Sequence, residues 1–454
     1  MFSKNNTHMK KTFSFTFSII AILYAHIVSA QQEQSLNFMT ETWQAHLTNP
    51  ALLPSKKLSI ALPSVYFNLN SPNLVVNDLI VNENGSRNLY LNKLYAPERP
   101  DITHINGNVQ VQTLGIAFPV SNRLILSIYQ AGWANPSVSY RRDLAQLFFK
   151  GNTDFLGKTV SFSSSANADI RSEIGIGAVY QLPIFSIGGR IKLHNGIAGI
   201  FTESDKLYIS FNQTDYSLGF KTDIDLRVFE GDKITAVRGV QDVVNQGLFS
   251  KNRGVSFDLG GSMKLGKIQI NASLIDIAGS IKWKDGGTTH TTKGDYSYKG
   301  KDLNSFDQFF RIDSLSSNTF VDTLKKVIGY TETSGATYTQ KLPMKLYLSG
   351  SYQINEKFSV GALIYNESGG SGASQTGLAI DATVKALDIP KILKIRAGLT
   401  YGLRNGKFNN LGAHISLNAL KVVQVFAVTD NILTAFKPFD AHNANGRIGM
   451  GLIF

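Results

Sequence analysis

The chain has no cysteine. That excludes disulfide staples, Cys-ligated zinc, thiol catalysis and a lipid-modified cysteine behind an export signal. Long apolar runs are missing too. After Ala30 no stretch of about 18 consecutive apolar residues occurs, so no transmembrane helix is available. Helical periodicity is nearly absent, and so are catalytic patterns. There is no His-Glu-x-x-His, no Gly-x-Ser-x-Gly and no Gly-x-x-x-x-Gly-Lys-Ser/Thr, so no enzyme activity is expected. Nor do Lys and Arg gather into a run with interleaved aromatics, which argues against nucleic acid as a partner.

What is present begins with an expected export signal over residues 1–30. Lys4, Lys10 and Lys11 form a positive start, Phe13 to Val28 an apolar stretch, and Val28-Ser29-Ala30 a small-residue cleavage site. The formal charge is +12. Those three lysines account for three of it, leaving +9 on scattered residues of the mature chain, a balance suited to an anionic membrane surface. An exported chain of this size without disulfides must be held by a large hydrogen-bonded scaffold or by its membrane.

Strict alternation chooses the membrane. Tyr216, Leu218, Phe220, Thr222, Ile224, Leu226 and Val228 share one face of a strand, and Ser217, Lys221, Asp223, Asp225 and Arg227 the other. The pattern recurs at Val255/Phe257/Leu259 against Ser256/Asp258, and at Met344/Leu346/Leu348 against Lys345/Tyr347/Ser349. It returns in segments starting at Leu378, Leu393 and Leu411. Runs this long fit strands that cross a bilayer tilted, with lipid on the apolar side and a wet lumen on the other. Connections alternate between short turns (119–122, 182–186, 212–215, 266–267, 355–357, 386–390, 419–420) and long loops (141–157, 230–254, 284–342, 366–375, 429–445). Two short connections, 202–205 and 404–407, fall on the long-loop side. Sorted connections of this kind mark an outer-membrane barrel, turns in the periplasm and loops outside. The expected fold is therefore all-β, a transmembrane antiparallel barrel of about 14 strands with 16 possible. Residues 31–107 would supply an N-terminal plug and first strand, and residues 108–454 the barrel. Ile448, Met450, Leu452 and Phe454 close the chain on one apolar face ending in an aromatic, a pattern similar to the signal read by the barrel-assembly machinery.

Four ordered landmarks resemble the FadL-type outer-membrane transporters and their PorV-like relatives. They are Asn49-Pro50-Ala51; Gly188-Gly189-Arg190-Ile191-Lys192 with Asn195-Gly196; Leu274-Ile275-Asp276-Ile277 with Ile281-Lys282-Trp283; and Thr429-Asp430-Asn431 with Gly446-Arg447. The resemblance implies a 14-stranded barrel occluded by an N-terminal plug, with Asn49, Pro50 and Ala51 as the plug motif. It also implies passive uptake of a hydrophobic molecule or, in the PorV-like manner, a role as binding partner of a secretion complex.

Three apolar helical segments are expected in the long loops: Leu144/Leu147/Phe148/Phe149, Val237 to Leu248, and Leu303 to Ile312. Phe148, Phe149, Phe306, Phe309 and Phe310 are the candidate ligand contacts, and packing as a cap is the competing reading. The mature histidines (His46, His104, His194, His290, His414, His442) are scattered. His194 and His414 project from polar faces and could meet in the lumen, but without further convergent ligands no metal site is expected, and no cofactor. Arg190, Lys192, Asp223, Asp225, Arg227, Asp258, Lys264, Asp381, Lys385 and Arg396 are expected to pair inside the lumen. Outer-membrane lipid and the assembly machinery complete the expected partners.

Overall fold

The computed structural model describes residues 33–53, 58–83, 86–230, 250–299, 325–370, 374–404 and 407–454. Chain order begins with two short 3-10 turns (Ser35–Phe38, Trp43–Leu47), then β1 (Ser59–Asn70), the small hairpin β2–β3 (Ile80–Glu83, Ser86–Leu89), β4 (Ile102–Pro119) and β5 (Leu124–Arg141). Helix α1 (Arg142–Lys150) follows, then β6 (Thr159–Ser161), β7 (Ser165–Gln181), β8 (Phe185–Phe211), β9 (Leu218–Phe229) and β10 (Asn252–Leu265). Next come β11 (Ile268–Trp283), β12 (Gly287–Tyr298), β13 (Thr331–Ser334), β14 (Tyr338–Lys341), β15 (Met344–Gln353), β16 (Phe358–Ser368) and β17 (Gln375–Ile389). The chain ends through β18 (Leu393–Arg404), β19 (Lys407–Ala419), β20 (Val423–Thr429), helix α2 (Leu433–Phe436) and β21 (Asn443–Ile453).

Fourteen of these strands form a closed antiparallel ring: β1, β4, β5, β7, β8, β10, β11 and β15 to β21. Closure runs through β1, which pairs with β4 on one side and with β21 on the other. A closed ring leaves no unpaired edge, so wall strands satisfy their backbone within the sheet, as a hydrocarbon environment demands, apart from a short stretch of β11 between Ile275 and Ser280.

The burial pattern is inverted relative to a water-soluble sheet. Val255, Phe257 and Leu259 are 40%, 45% and 55% exposed, whereas Ser256 and Asp258 between them are 0% and 1% exposed. Met344, Leu346 and Leu348, Ile380, Leu399, Ile415, Ile448 and Met450 likewise point outward, giving the apolar band that lipid must cover. The wall is therefore that of a transmembrane barrel, and its polar residues line the lumen. Short turns (120–123, 182–184, 266–267, 354–357, 390–392, 420–422) gather at one rim and the longer connections at the other.

One reading of the sequence is corrected. The segment with the cleanest alternation, 216–228, is not a wall strand. Residues 202–205 do not break the chain: β8 runs unbroken for 27 residues, with a register shift between Thr202 and Ser204. That is far beyond the roughly 9–11 residues a crossing needs. Its far half stands beyond the loop rim and carries β6, β9 and, through β9, β12. Leu218 and Phe220 face a protein core there, packed with Leu147, Phe155, Phe162, Ile209 and Phe211. The turn at 212–215 therefore caps this extension rather than the short-turn rim. Period two separates two faces of a strand but cannot tell a protein core from lipid.

Candidate functional site

Inside the ring lies the N-terminal segment, nearly all of it buried from Gln34 to Leu53. Its only regular structure is the two 3-10 turns, so its remaining backbone polar groups need partners on the wall. At its start, Glu33 pairs with Arg447 (2.5 Å) and the Ser35 backbone N–H donates to Asp430 (2.8 Å). Midway, Glu41 pairs with Lys394 (3.1 Å) and Arg396 (2.8 Å). Trp43 is fully buried among Ala61, Ala117, Ile125, Tyr129, Ala131 and Val179, so small residues on four neighbouring wall strands make room for one indole.

The far end is held by shape. The Asn49 carboxamide accepts the Ala51 N–H (2.9 Å) and donates to the carbonyls of Gly261 (3.0 Å) and Ala272 (3.3 Å). Ser273 donates to the Thr48 carbonyl (2.6 Å). A Cβ on Gly260 would lie 2.1 Å from Asn49 Oδ1, and one on Gly188 would lie 2.6 Å from the Pro50 carbonyl. Two glycines thus cut the notch that receives Asn49-Pro50-Ala51, because only a bare backbone admits so close an approach.

Above this seat the lumen is crossed by buried ions. Arg190 pairs with Asp258 (2.5 Å) and donates to the His46 carbonyl (3.3 Å). Lys192 bridges Asp258 (3.0 Å) and Asp276, and Lys345 also reaches Asp276 (3.4 Å). Glu173 accepts from the Tyr129 hydroxyl, and Arg171 pairs with Asp169. Asp276 sits at a kink: it and Ala278 hold φ of 61° and 52°. Pairing of β11 with β15 stops at Ile275–Lys345, and β14 takes over at Ser280–Lys341. Still nearer the loop rim lies an aromatic group of Phe201, Phe229, Trp283 and Tyr338, with Trp283 Nε1 donating to Gln340 (3.1 Å) and Gln340 donating to Asp169 (2.8 Å).

The expected lumen charges divide accordingly. Arg190, Lys192, Asp258 and Asp381 are buried in the lumen and paired. Lys264, Lys385 and Arg396 line the mouth at the turn rim. Asp223, Asp225 and Arg227 belong to the extension, where Arg227 pairs with Asp225 (3.1 Å) and Lys206 with Asp223 (3.7 Å), a correction with the same cause as β9. His194 and His414 do not meet. His194 bonds Ser256 (2.8 Å) and faces Glu173 (3.6 Å), whereas His414 bonds Asp381 (2.9 Å). Glu173, His194 and Asp276 have ligand-capable atoms within 4.8 Å of one another, but Lys192 and Lys345 already serve Asp276.

At the loop rim, α1 exists as expected. Leu147 and Leu144 turn into the extension core and Ala145 is buried, while Phe148 and Phe149 are 43% and 50% exposed. Phe306, Phe309 and Phe310, the Val237 to Leu248 segment and residues 1–30 lie outside the described residues. Beside α1, Arg142 donates to the carbonyls of Pro97 (3.0 Å) and Arg99 (2.9 Å), and Arg99 pairs with Asp78 (2.8 Å). Partial burial pushes the Asp78 carboxyl up, but the Arg99 hydrogen bond, the Val75 N–H and the Arg99 charge together hold it below the usual carboxylate range.

The sequence landmarks converge on one object. Asn49-Pro50-Ala51, Gly188 with Arg190, Asp276, and Asp430 with Arg447 are the plug, its seat and the ion layer above it. Sequence reading put Lys345 on a polar face without its partner and missed Trp43, Tyr129, Arg171 and Glu173, since an indole or a charge on a lumen face carries no local mark of its partner.

A closed ring, a lipid-facing band and a filled lumen define a transmembrane β-barrel with an internal plug. The chain belongs to a family described as "Family of unknown function (DUF5723)", whose model matches residues 50–430. No curated protein matches the sequence. Among solved structures it is similar to a FadL homologue from Pseudomonas aeruginosa (TM-score 0.41, 10% identity, covering 90% of this chain and 93% of that one). It is also similar to the Pseudomonas putida toluene transporter TodX (0.37, 11%, 90% and 92%). A third is the translocator domain of the Neisseria meningitidis autotransporter NalP (0.34, 8%, 92% and 96%). The barrel assignment rests on the strand pairing of this chain itself.

Proposed function

We propose that this is an outer-membrane barrel that takes up a hydrophobic small molecule, captured at the loop rim outside the cell and admitted past the plug. The observation that carries the reading is the plug. A barrel serving only as an anchor needs no separate segment fitted to its lumen, and this one combines a buried indole, Trp43, with hydrogen bonds and ion pairs that water can replace. The kink at Asp276 and Ala278, where wall pairing lapses, supplies a weak place for an apolar molecule to leave sideways into lipid. Phe148 and Phe149, with Phe306, Phe309 and Phe310, are the proposed first contacts.

Binding of a lipophilic fluorescent probe, N-phenyl-1-naphthylamine, to detergent-purified protein tests the capture step. Replacing Phe148 and Phe149 by Ser, and separately Phe306, Phe309 and Phe310 by Ser, should each weaken binding about tenfold, since one or two lost aromatic contacts are worth about 1.4 kcal/mol. Unchanged binding in both variants overturns capture at this rim. The second reading, a PorV-like binding partner of a secretion complex, is favoured by the ion layer and aromatic group, which close the lumen even above the plug. A stoichiometric protein co-purifying from detergent extracts, with no probe binding, decides for it.

A further inference from the structure

The turn rim holds a second cavity with chemistry opposite to that of the loop rim. It has a volume of about 180 Å³ and lies under the plug, between the mouths of β10, β11 and β15 to β18. Its lining is polar, and charge is unequal: Lys264, Lys267, Lys357, Lys385 and Arg396 face three acids, Glu41, Glu356 and Asp381. Asp381 is already engaged by His414, Thr383 and Thr400, and Glu41 by Lys394 and Arg396. Lys385 has its own partner in Asp388 (3.2 Å). Two buried polar atoms in the lining lack any hydrogen bond, Arg396 Nε and Asn37 Oδ1. The Arg396 side chain is 31% exposed and pairs with Glu41 through Nη2, so its Nε–H is the donor left without an acceptor, and a carboxylate is its best geometric match.

We infer that this vestibule is a docking site for a carboxylate-rich peptide segment of a periplasmic protein, which competes with Glu41 for Lys394 and Arg396 and so loosens the plug from below. Lys264 and Lys385 line the mouth on the inner side of β10 and β17, and Lys267 and Lys357 stand in the turns at its edge. An extended acidic chain enters from the aqueous side. The cations of the lining outnumber its acids, and a cleft focuses their field. Glu41 is the plug's own occupant of the site, and displacing it exchanges one carboxylate for another on half-buried cations, Lys394 and Arg396, so neither is left unpaired.

The inference deepens the uptake proposal by naming a regulator of the same plug, but its test needs neither uptake nor probe capture. Detergent-purified full-length protein is titrated with a fluorescein-labelled hexaglutamate peptide, and anisotropy is read at low and at physiological salt. Saturable binding is expected, weakened about tenfold by K264A/K357A and strengthened several-fold by E41Q, which removes the competitor. Both variants should keep the heat-modifiable gel shift of a folded barrel. Equal binding by the wild type, K264A/K357A and E41Q overturns the site, as does preference for anionic phosphatidylglycerol vesicles over the peptide. If N-phenyl-1-naphthylamine capture fails while peptide binding behaves as described, the uptake reading falls and the docking site stands.

Discussion

At the scale of single residues, the plug is held by two different physics. The Asn49 end depends on absent atoms. Gly260→Ala would place a methyl 2.1 Å from Asn49 Oδ1, so the plug must shift or the wall must bend, at a cost of about 1–3 kcal/mol. Gly189→Ala is the control, since its nearest neighbour would be at 3.8 Å. Planar-bilayer conductance should rise for the first variant and not for the second. The ion layer depends on completeness. Arg190→Met leaves Asp258, which is 1% exposed, with Lys192 as its cation and the Asp276 N–H as its remaining donor, and should cost roughly 3–5 kcal/mol in urea unfolding from liposomes. The double variant Arg190→Met with Asp258→Leu should recover part of that loss, because an apolar pair of similar volume carries no buried charge. No recovery would mean that the pair is valued for packing rather than for charge balance.

At the scale of elements, identical alternation serves two solvents. On β21, Ile448 is 61% exposed and faces lipid. Ile448→Lys should destabilise the barrel by about 2–4 kcal/mol if it lies at the bilayer midplane, read as a lowered temperature for loss of the gel shift. On β9, Phe220 is 8% exposed within a protein core. Phe220→Ala should cost roughly 3–5 kcal/mol locally, opening α1 and β6 to protease while the barrel keeps its gel shift. A lowered gel-shift temperature in this variant would show that the extension and the wall unfold together. The segment joining β1 and β4 has a pH signature of its own. The folded-state pKa of Asp78 is depressed, so its stabilising contribution is present above the unfolded value of about 3.9 and is lost as pH falls through the lower folded value. Proteolysis of residues 72–100 should therefore accelerate at strongly acidic pH, and Arg99→Ala should abolish that dependence.

At the scale of the whole molecule, an inside-out arrangement decides behaviour. With large apolar side chains outward on all sides, the folded chain should require detergent, run as a compact species before boiling and unfold on boiling. Recovery of a freely soluble, folded monomer would end the membrane assignment. The membrane also replaces the staples this cysteine-free chain lacks. A ring of fourteen paired strands has no edge to fray.

The sequence by itself determined the class of the wall. Period-two alternation over long segments, sorted connection lengths and the absence of apolar helices leave few folds that satisfy every backbone group in lipid. Tertiary structure alone decided which alternating strand meets lipid and which meets protein. From 216–228 no local rule separates the two, because both are apolar surroundings to a Leu or a Phe. It alone also brought Glu33 to Arg447 and Glu41 to Arg396. A charge on a lumen face is neutralised by whichever strand closes opposite it, and closure is a property of the whole ring.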